Sequence, residues 1–119
     1  MKRPEEITKR FLFELDKHMN DLKSGNAETT FEVQDIAAIL HIHPTHLSNT
    51  IKEQLKKSPC DIYENKLMDV ARELIISTNL SIASIARQLT FDPSNFTKFF
   101  KHFEGVTPKQ FRDNAALKI

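Results

Sequence analysis

The side chains with the most usable chemistry fall in two short runs. Thr45, His46, Ser48, Asn49, Lys52 and Glu53 make up the first, and Ser94, Asn95, Thr97, Lys98, Lys101 and His102 the second. Wound into helices, each run sets short hydrogen-bonding groups and lysines on one face, opposite an apolar stripe. That mixture suits nucleic acid: Asn pairs bidentately with adenine, Lys donates to guanine acceptors or to phosphate, and Ser and Thr meet either. Neither run contains Arg, the residue that makes the commonest guanine contact. Most polar helix faces are plain solvated surface, so the case depends on how the chain positions these two.

The other reactive residues lead less far. His41, His43 and His46 are spaced His-x-His-x2-His, but zinc needs convergent ligands and usually a fourth partner, and no Cys or carboxylate lies nearby in register. Ordinary turn and surface histidines are expected, with no metal. Cys60 follows Pro59 at a helix start, where the helix dipole can lower a thiol pKa. With no His placed beside it, an inert, semi-buried thiol is expected. No glycine-rich phosphate loop, paired-carboxylate motif or Ser/His/Asp order is present. The sequence reads as non-enzymatic, with no cofactor and no small-molecule site.

The elements that carry the two runs are copies of one another. Val33-Gln34-Asp35-Ile36-Ala37-Ala38-Ile39-Leu40 aligns with Ile82-Ala83-Ser84-Ile85-Ala86-Arg87-Gln88-Leu89 at an offset of 49 residues. The register continues through Ile42 on Phe91, Pro44 on Pro93, Leu47 on Phe96, Ile51 on Phe100, Lys52 on Lys101, Ser58 on Thr107, Pro59 on Pro108 and Ile62 on Phe111. Such sustained matching marks a duplicated unit. Each copy reads as helix, tight turn, helix. Val33, Ile36, Ala37 and Leu40 keep the 3–4 spacing of one helical face, which breaks at His41-Ile42-His43. Pro44 and Pro93 then suit the first position of a new helix, where a missing N–H costs nothing. Asp92 adds a cap. The second helices are expected to bury Leu47, Ile51 and Leu55 in one copy, and Phe96, Phe99, Phe100 and Phe103 in the other. Ala37 and Ala86 fall where two closely joined helices must approach.

Two longer helices flank the copies. Residues 5 to 23 place Ile7, Phe11, Leu15, Met19 and Leu22 on a stripe broadened by Leu12 and Phe13, ended by Ser24-Gly25-Asn26. Residues 59 to 77 place Tyr63, Leu67, Val70, Ala71, Leu74 and Ile75 on another and link the copies. About 18 helical residues span roughly 27 Å, close to the 34–36 Å or so between successive major-groove faces of B-DNA. A helix-turn-helix unit exposes the outward face of its second helix to such a groove.

Bulk properties constrain the rest. With 39% hydrophobic and 28% charged residues the chain is globular, and 2 glycines are too few for an all-β protein. The net charge of +1 hides local asymmetry. Glu28, Glu32 and Asp35 stand without a base between residues 26 and 40. Lys52, Lys56 and Lys57 outnumber Glu53 between 44 and 57, and Lys109, Arg112 and Lys118 outnumber Asp113 at the end. One cysteine excludes an internal disulfide and suits a reducing cytoplasm. No apolar run reaches the roughly 18 residues of a membrane span, so no membrane partner is expected.

Residues 71 to 112 resemble the signature of the AraC-type transcriptional regulators. The match runs through Ala71-x2-Leu74, Ile82-x2-Ile85-Ala86, Phe91, Ser94-x-Phe96, Phe100-Lys101, Gly105-Val106-Thr107-Pro108 and Phe111-Arg112. Ile36-Ala37, Pro44-x2-Leu47-Ser48, Ile51-Lys52 and Ser58-Pro59 match the family's other unit, and the likeness covers residues 6 to 113. It implies an all-α, seven-helix module. Residues 1–57 would hold the N-terminal helix and first helix-turn-helix subdomain, 58–78 the linker helix, and 79–119 the second subdomain. The resemblance also implies base-facing roles for Thr45, His46, Ser48, Asn49, Ser94, Asn95, Thr97 and Lys98. Lys52 and Lys101 would meet phosphate, with added contacts from helix N-terminal N–H groups near the start of each unit. Double-stranded DNA is the partner implied, with RNA polymerase a further one. The competing expectation is a helical protein-interaction adaptor, which would show an exposed apolar patch on a unit's second helix. The family's turn glycine is replaced by His41 and Thr90, and its glycine before Ser58-Pro59 by Lys56. Strain is expected there if φ is positive.

Overall fold

In a computed structural model, residues 3–29 and 31–117 are described, and Lys118 of the basic C-terminal stretch lies outside them. Those residues form seven helices: α1 Pro4–Ser24, α2 Val33–Ile39, α3 Pro44–Leu55, α4 Pro59–Ser77, α5 Ile82–Gln88, α6 Pro93–Glu104 and α7 Pro108–Ala116. All 5 prolines of the chain open a helix, where a proline's fixed φ is an asset and its absent N–H is no loss. Side-chain caps reinforce the starts: Ser58 Oγ accepts from Asp61 N, Ser81 Oγ from Ser84 N and Thr107 Oγ1 from Gln110 N.

The duplication is realised in the backbone. α2, α3 and the start of α4 recur as α5, α6 and the start of α7, boundary for boundary, at the same 49-residue offset. The paired Ser58-Pro59 and Thr107-Pro108 are the cap and first residue of α4 and α7. Both inter-helix turns close alike. Ile42 N donates to Ala37 O at 3.0 Å and Phe91 N to Ala86 O at 2.8 Å.

Helix α1 packs on α2, α3 and α4; α4 also meets α5 and α7, and α6 rests on α5 and α7. The α1 stripe (Ile7, Phe11, Leu15, Met19 and Leu22) is buried with Ile36, Ala37, Leu40, Leu47 and Ile51. In the second copy Ile85, Ala86, Leu89, Phe96 and Phe100 are buried, with Phe91 and Phe111 packed on them through ring contacts of 5.6 and 5.4 Å. Ala37 and Ala86 are fully buried, as the close approach of joined helices demands.

Apolar identity overstates burial at the margins of these stripes. Phe13 is 66% and Phe103 38% exposed, and Leu55 and Phe99 are only half-buried. Leu55, Phe99 and Phe103 follow the buried Ile51, Phe96 and Phe100 at helical spacing but lie at the edge of the stripe. Phe13 stands between Phe11 and Leu15 on the opposite side of α1. Cys60 is exposed and not semi-buried: its neighbour Pro59 takes the buried side of the first turn of α4, and Cys60 faces the other way.

The turns carry the expected strain. His41, Lys56 and Thr90 have φ of 59°, 61° and 67°. Lys56 and Gly105 end α3 and α6 in the same left-handed conformation, so the first copy holds a side chain where the second has none.

Candidate nucleic-acid interface

Burying Leu47 and Ile51 on α3, and Phe96 and Phe100 on α6, fixes what faces outward. Thr45, His46, Asn49 and Lys52 are exposed on α3, and Ser94, Asn95, Lys98 and Lys101 on α6; Ser48 and Thr97 are half-buried at matching positions. The Thr97 hydroxyl donates to Pro93 O at 3.1 Å, so its methyl and both oxygen lone pairs remain for a partner. Among the described residues, no intramolecular hydrogen bond or ion pair engages the side chains of Asn49, Lys52, Asn95, Lys98 or Lys101. These donors and acceptors are therefore available to a ligand without breaking protein contacts. Glu53 and His102 flank them, also exposed.

The N-termini of the two faces are set by different chemistry. Asp92 caps α6, accepting from Ser94 N, and His43 caps α3, accepting from Thr45 N through Nδ1. A capping role for His43 was not legible in its sequence context. His41, by contrast, occupies the left-handed turn. No group of three or more His, Cys, Asp or Glu is arranged to hold a metal among the described residues. At the starts of the units, Asp35 Oδ2 accepts the Glu32 N–H at 2.7 Å, leaving carboxylates at the α2 end, whereas α5 begins with the neutral pair Ser81 and Ser84. Phosphate is favoured at the second of these ends.

On the first unit, Thr45, Ser48, Asn49 and Lys52 form one wall of an open groove of about 800 Å³. Glu32, Val33 and Gln34 bound it on one side, and Pro59, Cys60, Tyr63 and Glu64 on the other.

Several residues hold these surfaces through long-range partners that nothing in the sequence announces. His18, buried in α1, accepts from Phe31 N at 3.2 Å, stacks on the Phe31 ring at 4.3 Å and lies 3.5 Å from the Tyr63 hydroxyl. It anchors the segment that enters α2. Burial pushes its pKa down, opposed by the nearby Asp21 and Asp35 carboxylates. Arg72 on α4 ties to Glu104 at the end of α6 at 2.8 Å. Arg112 of α7 donates to Ile75 O and Thr78 O at the end of α4.

A family model described as a helix-turn-helix domain matches residues 36–114. The chain belongs to the AraC-type helix-turn-helix family. Its relatives include an uncharacterised HTH-type transcriptional regulator, YfiF, of Bacillus subtilis, 32% identical over 93% of this chain and 34% of its own length. The chain thus spans about a third of the curated relatives it matches. Among solved structures, the C-terminal domain of AraT, a response regulator from Geobacillus stearothermophilus, superposes with a TM-score of 0.81 at 29% identity, over 95% of this chain and 88% of that one. The DNA-binding domain of the global transcriptional factor AdpA, solved with a target DNA, superposes with a TM-score of 0.77 over 92% and 95% of the two chains. At 14% identity that likeness bears on the fold alone. AraC-type proteins are sequence-specific DNA-binding regulators of transcription, and this chain carries the all-α module that defines them. No helix among the described residues is long and apolar enough to cross a membrane.

Proposed function

We propose that this chain reads double-stranded DNA by placing α3 and α6 in successive major grooves, and so regulates transcription. Base contacts fall to Thr45, His46, Ser48, Asn49, Ser94, Asn95, Thr97 and Lys98, and phosphate contacts to Lys52 and Lys101. The observation that carries this reading is the repetition of one polar, uncommitted face on two helices held in the same local frame 49 residues apart. The scale supports it. Helix α4, with 19 residues, is about 28 Å long, and the longest dimension of 52 Å exceeds the roughly 34 Å between groove faces.

On this reading residues 1–57 and 79–119 act as two subdomains and 58–78 as the connector. The chain is not an enzyme, works in the cytoplasm where the DNA lies, and has RNA polymerase as its second partner; family membership is the support for these three. A gel shift against random duplexes, followed by competition with unlabelled genomic fragments, tests the proposal. Retarded complexes resisting nonspecific competitor are expected, and binding abolished equally by any DNA would contradict sequence-specific readout.

A further inference from the structure

A helix leaves its last carbonyls without intrahelical partners. At the end of α1, Gly25 in the left-handed conformation turns its own N–H, and those of Asn26 and Ala27, back onto Asp21 O and Leu22 O. Lys23 O receives none of these. Its partner comes from across the molecule: Gln88 Nε2 donates to Lys23 O at 2.7 Å and to Leu22 O at 3.2 Å. Gln88 is the last residue of α5, the first helix of the second unit. Its side chain also lies along Gly25, with Cδ 3.7 Å from where a Cβ would stand.

That bond closes a ring of elements. Helix α1 packs on α3, and α5 on α6, so the Gln88 contact joins the two recognition helices by a route that does not pass through α4. The Lys23–Glu73 ion pair at 2.6 Å fastens the same end of α1 to α4. A single helical connector leaves two units able to swing about its ends, and a second strut removes that freedom. The corresponding clamp at the end of α4, made by Arg112, stays beside its own helix neighbour and joins no second unit. The repeat adds a sequence trace. The first-copy counterpart of Gln88 is Ile39, 37% exposed and with no side-chain donor to offer a carbonyl. Only the copy that faces the end of α1 carries an amide.

We propose that Gln88 is a positioning residue that fixes the angle between α3 and α6, and with it the half-site spacing the protein accepts. The inference rests on the two-groove reading above. Binding across two half-sites gains from preorganisation only while the two readers are held in phase.

The test uses the full chain on four duplexes: one selected half-site alone, and both half-sites at the selected spacing or with one base pair added or removed. Wild-type protein is expected to favour the selected spacing. Gln88→Glu keeps the size of the side chain but has no donor when ionised. It should bind the single half-site as wild type does, while its preference for the selected spacing falls about three- to tenfold. Gln88→Lys restores a donor and should restore the preference as a ratio, whatever its added charge does to overall affinity. A Gln88→Glu protein with the wild-type spacing preference overturns the inference alone. So does one that loses half-site affinity to the same degree, since that is a folding defect. A wild type indifferent to spacing overturns the two-groove reading and the inference with it.

Discussion

His43 and Asp92, 49 residues apart, make the same bond: each side chain accepts the backbone N–H two residues ahead, from Thr45 and Ser94, at 3.1 Å in both cases. They start α3 and α6 with one geometry and different chemistry. An imidazole accepting through Nδ1 stands at the mouth of α3 and a carboxylate at the mouth of α6, the ends that phosphate would meet on the proposed reading. Removing either cap by substitution to Ala should cost about 0.5–2 kcal/mol of stability, read from urea denaturation. Asp92→Asn keeps an acceptor but removes the charge. It should leave the denaturation midpoint nearly unmoved and tighten binding to every duplex, most at low salt. Weaker binding by Asp92→Asn would place the α6 N-terminus away from the phosphates.

Three side chains sit in backbone conformations that favour glycine, and they are not equally strained. Thr90, at φ 67°, is β-branched and the least suited; Lys56 at 61° and His41 at 59° follow. Thr90→Gly should stabilise the fold by about 1 kcal/mol, since the relief of strain exceeds the added unfolded-state entropy. Lys56→Gly should gain less. The reverse change at the equivalent position, Gly105→Ala at φ 86°, should destabilise even though a Cβ there would meet nothing within 4 Å. Denaturant midpoints measured at constant m-value decide this. A loss of stability in Thr90→Gly would mean the Thr side chain is held by packing that outweighs the strain.

His18 gives the fold an acid limit. Burial lowers its pKa below the ordinary 6.5, against the pull of Asp21 and Asp35. As pH falls from about 6.5, the unfolded chain therefore takes up the proton before the folded one does. Stability contributed by neutral His18 is complete above that pH and declines below it, at no more than about 1.4 kcal/mol per pH unit. His18→Gln should flatten the stability curve as pH falls below about 6.5 while lowering its plateau. An identical pH slope in wild type and variant would assign the acid sensitivity elsewhere.

The two kinds of interface residue should separate by salt and by sequence. Asn49→Ala is expected to relax base preference at one position of one half-site, at about 1–3 kcal/mol, with the salt slope intact. Lys101→Ala should weaken binding to all sequences and reduce that slope by about one. Equal loss on every sequence for Asn49→Ala would make it a backbone contact.

Much of this molecule is written in local pattern. The periodicity of Leu47 and Ile51, and of Phe96 and Phe100, leaves only one face of α3 and α6 for solvent, so the polar residues there follow from spacing alone. The same is true of the helix starts, because a proline after Ser, Thr or Asp has few other uses. What was illegible is long-range. Gln88 reaches back 66 residues to Leu22, Arg72 forward 32 to Glu104, and Tyr63 approaches His18 from 45 away. Nothing beside these residues in the chain announces a partner, and only packing of α1 against the rest creates one. Phe13 and Phe103 fail in the opposite sense: hydrophobicity marks a residue as suited to a core, but the edge of a stripe is set by the neighbouring helix.

Selection of bound duplexes from a random pool, carried out with wild type, Asn49→Ala and Asn95→Ala, tests the central claim most directly. Two enriched blocks centred about 10–10.5 base pairs apart are predicted, with Asn49→Ala degrading one block and Asn95→Ala the other. A single enriched block, or one block altered by both substitutions, would contradict a protein that reads two grooves with two copies of one unit.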